Sequence, residues 1–203
     1  SAVWQTNATW GTVTVSGLSS NTQYTFQVKA RNGDSVETGF GSTAALYTAA
    51  ATPGTPTVNT PAATTLNVTI DVNGNNSSVT YAIQETGSSN YVKANGSLSA
   101  SAVWQTNATW GTVTVSGLSV NTGYTFKVKA RNGNSTETAL GSANTAVYTL
   151  ANAPGTPTTA LSSGSFVLTV AQNSNPSATT YSLCVTSNGT SCAASGYVQA
   201  DGT

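Results

Sequence analysis

Residues 112–131 read TVTVSGLSVNTGYTFKVKAR and contain two alternating stretches joined by a corner. Before Gly117 and after Tyr124, apolar residues occupy every other position. A period of two indicates β-strands that bury one face and expose the other. The glycine and the Asn/Thr-rich residues between the two stretches are typical of a turn. This segment therefore predicts two strands packed on a common core.

Nearly the same segment occurs 100 residues earlier in the chain. Residues 1–40 and 101–140 differ at 7 of 40 positions. Residues 51–56 (ATPGTP) and 153–157 (APGTP) each combine two prolines with a glycine, which disfavours helix and favours an extended join. The duplication and these joins predict a tandem array of one domain type in the 203-residue chain.

The spacing of a leucine and a tyrosine identifies the domain type. Leu118 is followed six residues later by Tyr124, and Leu18 is followed by Tyr24 at the same spacing. This pattern resembles the tyrosine corner of fibronectin type III domains, in which the ring closes the end of the core and the hydroxyl bonds to the upstream backbone. The resemblance implies an all-β fold of tandem immunoglobulin-like sandwiches in a bacterial extracellular or cell-surface protein. The proline usual in the family two residues after the leucine is replaced by Val120 and Ser20.

The middle of the chain has the alternation expected of one complete sandwich, and no helical periodicity. The predicted strands are residues 55–59, 65–72, 79–83, 91–96, 102–105, 112–116, 124–131 and the surroundings of Val147 and Tyr148.

The domain boundaries predict that the two ends of the chain carry half-domains. Residues 1–48 would supply the second half of a fibronectin type III-like domain, residues 53–149 a complete one, and residues 154–203 the first half of another. The end of one unit would then complete the start of the next in a head-to-tail filament. Two versions stay open: separate subunits joined by strand complementation, or one very long polypeptide.

Composition excludes several classes of function. Charged residues make up 6% of the chain, with six basic and six acidic side chains, so we expect no nucleic-acid partner. No apolar run is long enough to cross a bilayer, so we expect no membrane span in this segment. The chain has no histidine and only isolated carboxylates, so no catalytic pair, metal site or cofactor is predicted. The DVNGN sequence at residues 71–75 has its glycine at the wrong position for a calcium loop.

Cys184 and Cys192 are the two cysteines of the chain. They lie at or beside a stretch six residues longer than its counterpart in the preceding copy. Without a histidine to complete a Cys/His zinc site, we predict a disulfide and therefore an oxidising, extracellular compartment. Two free thiols are the alternative.

The tryptophans are the candidate ligand contacts. Trp4, Trp10, Trp104 and Trp110 could form a stacking platform for glycans, but packing against the core is the expected role. Lys127, Lys129 and Arg131 lie on the polar face of one strand, and we expect them to be solvated, without interleaved aromatic rings. The RNGD sequence at residues 31–34 is interpreted as a hairpin turn rather than an integrin motif.

These observations predict a non-enzymatic extracellular structural or adhesive protein whose partner is itself, head to tail. Surface glycans are a second candidate partner. The resemblance also allows an alternative function, since similar bacterial modules serve as spacer or glycan-binding modules of secreted polysaccharide-degrading enzymes.

Overall fold

The structure is a computed structural model that describes residues 2–186 and 196–199. In those residues the elements, in chain order, are α1 (Asn7–Trp10), β1 (Gln23–Phe26), β2 (Ala44–Tyr47), β3 (Thr57–Asn59), β4 (Thr65–Thr69), β5 (Thr80–Glu85), β6 (Tyr91–Val92), β7 (Leu98–Ser99), β8 (Gln105–Thr106), α2 (Asn107–Trp110), β9 (Thr112–Ser116), β10 (Gly123–Tyr124), β11 (Phe126–Arg131), β12 (Val147–Tyr148), β13 (Gly155–Ser162) and β14 (Ser165–Ala171). The all-β fold class predicted from the sequence is confirmed.

Strands β3 to β12 form the central sandwich. One sheet has the order β3-β4-β9, and the facing sheet has the order β11-β5-β6-β7, with β8 also paired to β5. All of these pairs are antiparallel. Two antiparallel sheets packed face to face make an immunoglobulin-like sandwich.

The core of the central sandwich lies between the two sheets. Leu66, Val68 and Val115 from one sheet and Ile83 and Phe126 from the other are fully buried. Along β4, β9 and β11 the buried residues alternate with exposed or half-buried polar residues, as the sequence predicts, whereas in β5 Ala82 beside Ile83 is buried as well. Burying these side chains is the main favourable contribution to folding.

The structure corrects the sequence analysis at the expected strand of residues 102–105. The strand β8 starts only at Gln105, and the four-residue helix α2 follows it. Thr106 caps this helix, because its Oγ1 accepts a hydrogen bond from the backbone N–H of Thr109. One helical turn is too short to produce a recognisable periodicity, so the sequence pattern did not predict it.

The stretch predicted as one strand over residues 124–131 is two strands. Tyr124 in β10 pairs with Val147 in β12, whereas Phe126 in β11 pairs with Glu85 in β5. The chain therefore changes partner at Thr125, which an alternating sequence does not reveal.

Residues 2–50, the N-terminal segment, contain the β1–β2 hairpin but leave an apolar face uncovered. The sequence TVTVSGL occurs at both 12–18 and 112–118, yet only the second copy forms a strand. In the central sandwich Val113 and Val115 pair with Val68 and Leu66 of β4. The N-terminal segment offers no such partner strand, and Val13 is 58% exposed against 7% for Val113.

Residues 155–186, the C-terminal segment, contain the β13–β14 hairpin. This segment also leaves apolar side chains uncovered. Phe166 and Leu168 occupy the positions equivalent to the fully buried Leu66 and Val68. They are 67% and 36% exposed, respectively. Each terminal segment therefore presents part of a sandwich core to solvent.

Candidate functional site

The tyrosine corner closes one end of the central sandwich. The Tyr124 hydroxyl accepts a hydrogen bond of 2.8 Å from the backbone N–H of Ser119. Leu118 is buried beside it. In the N-terminal segment, the Tyr24 hydroxyl accepts the same bond from Ser19 at 3.0 Å, although Leu18 is only half-buried there. This local geometry therefore forms even where the rest of the sandwich is absent.

The two tryptophans of the central sandwich have different environments. Trp110 is buried, and its indole Nε1 donates a 2.9 Å hydrogen bond to the backbone oxygen of Tyr81. Trp104 is half-buried on the outer face, with the Arg131 guanidinium 4.6 Å and the Lys129 ammonium 5.2 Å from its ring centroid. These distances correspond to cation–π contacts.

Lys129 extends this arrangement into a stack of alternating rings and cations. Its ammonium also lies 5.1 Å from the Tyr91 ring and 2.7 Å from a carboxylate oxygen of Glu137. Partial burial lowers the pKa of Lys129, but Glu137 and Tyr91 raise it by more, so its pKa lies above the ordinary value. We call Tyr91, Trp104, Lys129, Arg131 and Glu137 the cation–π stack.

The N-terminal segment repeats most of the stack. Arg31 and Lys29 lie 4.7 and 5.5 Å from the centroid of the Trp4 ring, and Lys29 pairs with Glu37. Phe40, 5.2 Å from Lys29, supplies a second ring. Trp10 is 43% exposed, in contrast to Trp110.

The stack corrects the expectation of a solvated cationic face without interleaved rings. Trp104 comes from the loop before β8 and Arg131 from β11, and their proximity depends on the tertiary fold rather than on sequence spacing. Arg131 stacks on the Trp104 ring, and Trp110 is inside the core. The two tryptophans of the central sandwich therefore do not form a shared platform for a sugar.

We expect Trp104 and Arg131 to stabilise the sandwich jointly. A double-mutant cycle with Trp104→Ala and Arg131→Ala should give a coupling energy of about 0.5–1 kcal/mol in urea unfolding. Lys127, on the same strand but without a ring contact among the described residues, provides the control: the Trp104→Ala and Lys127→Ala effects should be additive. Additive effects for Trp104 and Arg131 would show that the contact contributes nothing.

Asparagine side chains bond to the backbone at the two joins, which precede and follow the central sandwich, and we call each such pair of bonds a clamp. The Asn75 side chain accepts a 2.7 Å hydrogen bond from the backbone N–H of Ala51 and donates one of 2.7 Å to the backbone oxygen of the same residue. Asn175 makes the same pair of bonds with Asn152, at 2.8 and 2.9 Å. Both asparagines are buried. The same clamp is thus used at both joins.

Asn21 is the centre of the contact between the N-terminal segment and the central sandwich, and it is 2% exposed. Its amide nitrogen donates to Asn76 Oδ1 at 3.1 Å and to Ser78 Oγ at 2.9 Å. Its amide oxygen accepts a 2.8 Å hydrogen bond from the backbone N–H of Gly133. Because all of these groups are satisfied, this polar contact can be both close and specific.

The loop after β11 completes this join. The Asn132 amide donates to the Thr48 backbone oxygen at 3.1 Å, and Asn134 Oδ1 accepts from the Tyr47 backbone N–H at 2.8 Å. A side chain at Gly133 would meet the Tyr47 ring at 2.7 Å. The corresponding sequence at residues 31–34 forms a turn in which Asn32 Oδ1 accepts from the backbone N–H groups of Asp34 and Val36. We call residues 132–134 and 32–34 the junction loops.

The carboxylates and amides considered as calcium or catalytic candidates have structural partners. Asp71 accepts a hydrogen bond from the backbone N–H of Asn73, whose amide donates to the Thr52 backbone oxygen. The buried Glu85 carboxylate accepts from the backbone N–H groups of Gly87 and Ser88. Within residues 2–186 and 196–199, no cluster of three or more His, Cys, Asp or Glu side chains could hold a metal ion.

The predicted disulfide stays a prediction. Cys184 forms an antiparallel bridge with Tyr197, and Cys192 lies outside the described residues. No helix in the described part of the chain is long and apolar enough to cross a membrane.

The strand pairing of the central sandwich and the tyrosine corner define the class of protein: a chain of fibronectin type III-like β-sandwich modules. No family model matches the sequence. The chain is similar to chitinase A1 of Niallia circulans, with 35% identity over 130 residues that cover 62% of this chain. The match spans only 17% of the length of that protein.

Two solved structures are similar to this chain at low identity. They are domains d3-d4 of the rat CD45 extracellular region, with 19% identity, a TM-score of 0.39 and coverage of 72% of this chain and 75% of that one, and the FN1-FN3 domains of chicken CNTN1, with 20% identity, a TM-score of 0.38 and coverage of 66% and 42%.

Proposed function

We propose that the chain is a non-enzymatic extracellular structural element in which the sandwiches act as rigid spacers. The observation that carries this proposal is the polar clamp repeated at the two joins, where Asn75 and Asn175 each bond the linker backbone in both directions. A flexible tether needs no such bonds, whereas a spacer of fixed geometry does.

The linkers support the same function. Pro53 and Pro56 are buried at the first join, so the linker is packed rather than free. Proline also restricts the backbone and keeps the linker extended. The near absence of charge leaves the outer surface without a strong preference for an ionic partner.

The proposed organisation follows the domain boundaries given above. Residues 1–48 and 154–203 act as two halves of one sandwich, so that successive units continue head to tail and build a filament or stalk. At the cell surface, such a filament or stalk would mediate adhesion. In this oxidising setting we expect a Cys184–Cys192 disulfide, and reduction should raise the mass by two hydrogen atoms.

Rigidity at the first join is the property to test. In backbone ¹⁵N relaxation, the N-terminal segment and the central sandwich should tumble with one rotational correlation time. Replacing Asn21 and Asn75 together with alanine leaves Gly133, Ala51 and their neighbours without partners, so the two correlation times should separate. Asn95→Ala, in a turn away from the join, is the matched control. Independent tumbling in the unmodified chain would contradict the spacer function.

The similarity to chitinase A1 favours a second candidate function: a spacer or glycan-binding module of a secreted polysaccharide-degrading enzyme. The glycan-binding version requires tryptophan faces that are free to stack on sugar rings. In the N-terminal segment, the exposed Trp10 is the only one of the two tryptophans without a described cation partner. Quenching of tryptophan fluorescence by soluble chitin oligosaccharides, lost in Trp10→Ala, would support this candidate over a pure spacer.

A further inference from the structure

Asn-Gly sequences occur four times in the described residues, at 32–33, 73–74, 95–96 and 132–133. Asparagine is a thermolabile residue in proteins, because the backbone nitrogen of the next residue can attack its side-chain amide carbon. Glycine exposes that nitrogen most, since it has no side chain to shield it. The surroundings of each sequence therefore decide which asparagine reacts.

Two of the four sequences are protected, because the glycine N–H is already bonded. The Gly96 N–H donates a 2.9 Å hydrogen bond to the Lys93 backbone oxygen. The Gly133 N–H donates one of 2.8 Å to the amide oxygen of Asn21, and Asn132 is itself buried. Each nitrogen would have to lose its bond before it could attack the preceding amide.

The N–H groups of Gly33 and Gly74 have no hydrogen-bond partner among the described residues. The side chain before Gly33 is nevertheless fixed by its oxygen. Asn32 Oδ1 accepts hydrogen bonds of 3.0 and 2.9 Å from the backbone N–H groups of Asp34 and Val36. These two bonds restrain the amide that Gly33 would have to attack.

Asn73 is restrained least. Its amide nitrogen donates a 2.9 Å hydrogen bond to the Thr52 backbone oxygen, and its amide oxygen has no partner in the described part of the chain. Asn73 and Gly74 are both exposed, so water reaches the amide and the peptide bond beside it. This pair combines an unbonded glycine nitrogen with an accessible amide.

The second join contains the same turn without the glycine. Asn173 has a φ of +50° where Asn73 has +46°, and Ser174 has +62° where Gly74 has +72°. The Asn173 amide donates a 2.7 Å hydrogen bond to the Ala153 backbone oxygen, the counterpart of the bond at the first join. Serine therefore supports this turn and its linker contact, and the two joins differ in the residue that would attack.

We propose that Asn73 is a site of spontaneous deamidation and that its modification weakens the first join. The Gly74 nitrogen gives up its proton and bonds to Asn73 Cγ, the Cγ–Nδ2 bond breaks, and ammonia leaves. Water then opens the resulting succinimide at either carbonyl, which produces aspartate or isoaspartate. Water is the one co-reactant. This inference goes beyond the spacer function, since it concerns how the join changes with time.

Deamidation would remove a contact of the linker. The carboxylate has no N–H to donate to the Thr52 oxygen, and two groups that only accept hydrogen bonds would then face each other. The new charge would also lie close to Asp71, whose carboxylate accepts a 2.9 Å hydrogen bond from the Asn73 backbone N–H. Like charges repel, and the Asp71 backbone oxygen is bonded to the Gly54 N–H of the linker.

The test of the site uses the full 203-residue chain, incubated in mildly alkaline buffer and sampled over time by peptide mapping with mass spectrometry. The peptide that contains Asn73 should exchange an NH group for an oxygen atom first, with isoaspartate among the products. Gly74→Ser should slow this reaction at least about tenfold. The reciprocal variant Ser174→Gly should bring Asn173 to the rate of Asn73.

The effect on the join is measured by amide hydrogen exchange in Asn73→Asp. Exchange at Ala51 and Gly54, whose N–H groups are bonded to Asn75 and Asp71, should become several-fold faster than in the unmodified chain. Asn95→Asp, at an Asn-Gly sequence away from the join, is the matched control and should leave exchange at both linker positions unchanged.

Deamidation that is equally fast at Asn73, Asn95 and Asn132, or linker exchange that is unchanged in Asn73→Asp, would overturn this proposal. The spacer function would survive either result, because it is tested by the correlation times of the freshly prepared chain. Conversely, independent tumbling in the fresh chain, combined with selective deamidation at Asn73 and faster linker exchange in Asn73→Asp, would remove the spacer function and leave the modification site.

Discussion

Replacing Phe126 with alanine should lower the free energy of unfolding of the central sandwich by about 3–5 kcal/mol, whereas the same change at Phe26 should lower it by less than about 1 kcal/mol. The two phenylalanines occupy equivalent positions in nearly identical sequences. Phe126 is fully buried, so its removal leaves a cavity among closely packed side chains. Phe26 is 45% exposed, so its removal leaves no enclosed cavity.

The measurement is urea unfolding at a concentration at which the chain is monomeric. It should be followed by the amide signals of β5 and β11, which report on the central sandwich alone. Equal losses for Phe126→Ala and Phe26→Ala would mean that the N-terminal segment folds with a core of its own, and the distinction between complete and incomplete sandwiches would be lost.

Gly96→Ala should lower the free energy of unfolding nearly as much as the loss of an aromatic side chain from the core. Gly96 has a φ of +82°, and a Cβ there would lie 1.9 Å from the backbone oxygen of Thr114 in β9. The substitution adds the cost of a left-handed backbone to a clash with a strand that cannot move without disturbing the sheet. We expect a loss of about 2–5 kcal/mol in the free energy of unfolding.

Gly74→Ala separates the two contributions. Gly74 also has a positive φ, +72°, but nothing lies within 4 Å of its Cβ position. Gly74→Ala should lower the free energy of unfolding only through the unfavourable left-handed backbone, by about 1–2 kcal/mol. If thermal and urea unfolding give the same loss for both variants, then the close approach of the turn to β9 does not contribute to stability.

The strands of the central sandwich could be predicted because their pattern and their environment agree. Thr112–Ser116 was predicted residue for residue, and Leu66, Val68 and Ile70 are buried as expected. Alternation identifies which side chains face inward, because β4, β9 and β11 each bury one face. Local pattern and tertiary contact therefore lead to the same assignment.

The identical sequence at residues 12–18 shows the limit of that reasoning. It has the same alternation as residues 112–118 but forms no strand, since a strand needs a neighbour for its backbone hydrogen bonds. The partner, β4 in the central sandwich, lies more than 40 residues away in sequence. Pairing between distant segments is a property that a local pattern does not contain.

The sequence pattern does not predict the joins or the cation–π stack, for a related reason. A recurrence of asparagine at a spacing of 100 residues could have indicated the joins: Asn21 recurs as Asn121, and Asn75 as Asn175. Because the chain is rich in asparagine, this recurrence is hard to distinguish from asparagines that only form turns. Trp104 and Arg131 are 27 residues apart, and only the pairing of β5, β8 and β11 brings their side chains together.

Small-angle X-ray scattering of the unmodified chain, at concentrations low enough to keep it monomeric, tests the spacer function most directly. The clamps at Asn21 and Asn75 predict that one conformation, with the joins as described, accounts for the whole scattering curve. The maximum dimension should not change between low and high salt, because the clamps consist of neutral hydrogen bonds. A curve that requires an ensemble of orientations between the N-terminal segment and the central sandwich would contradict the spacer function.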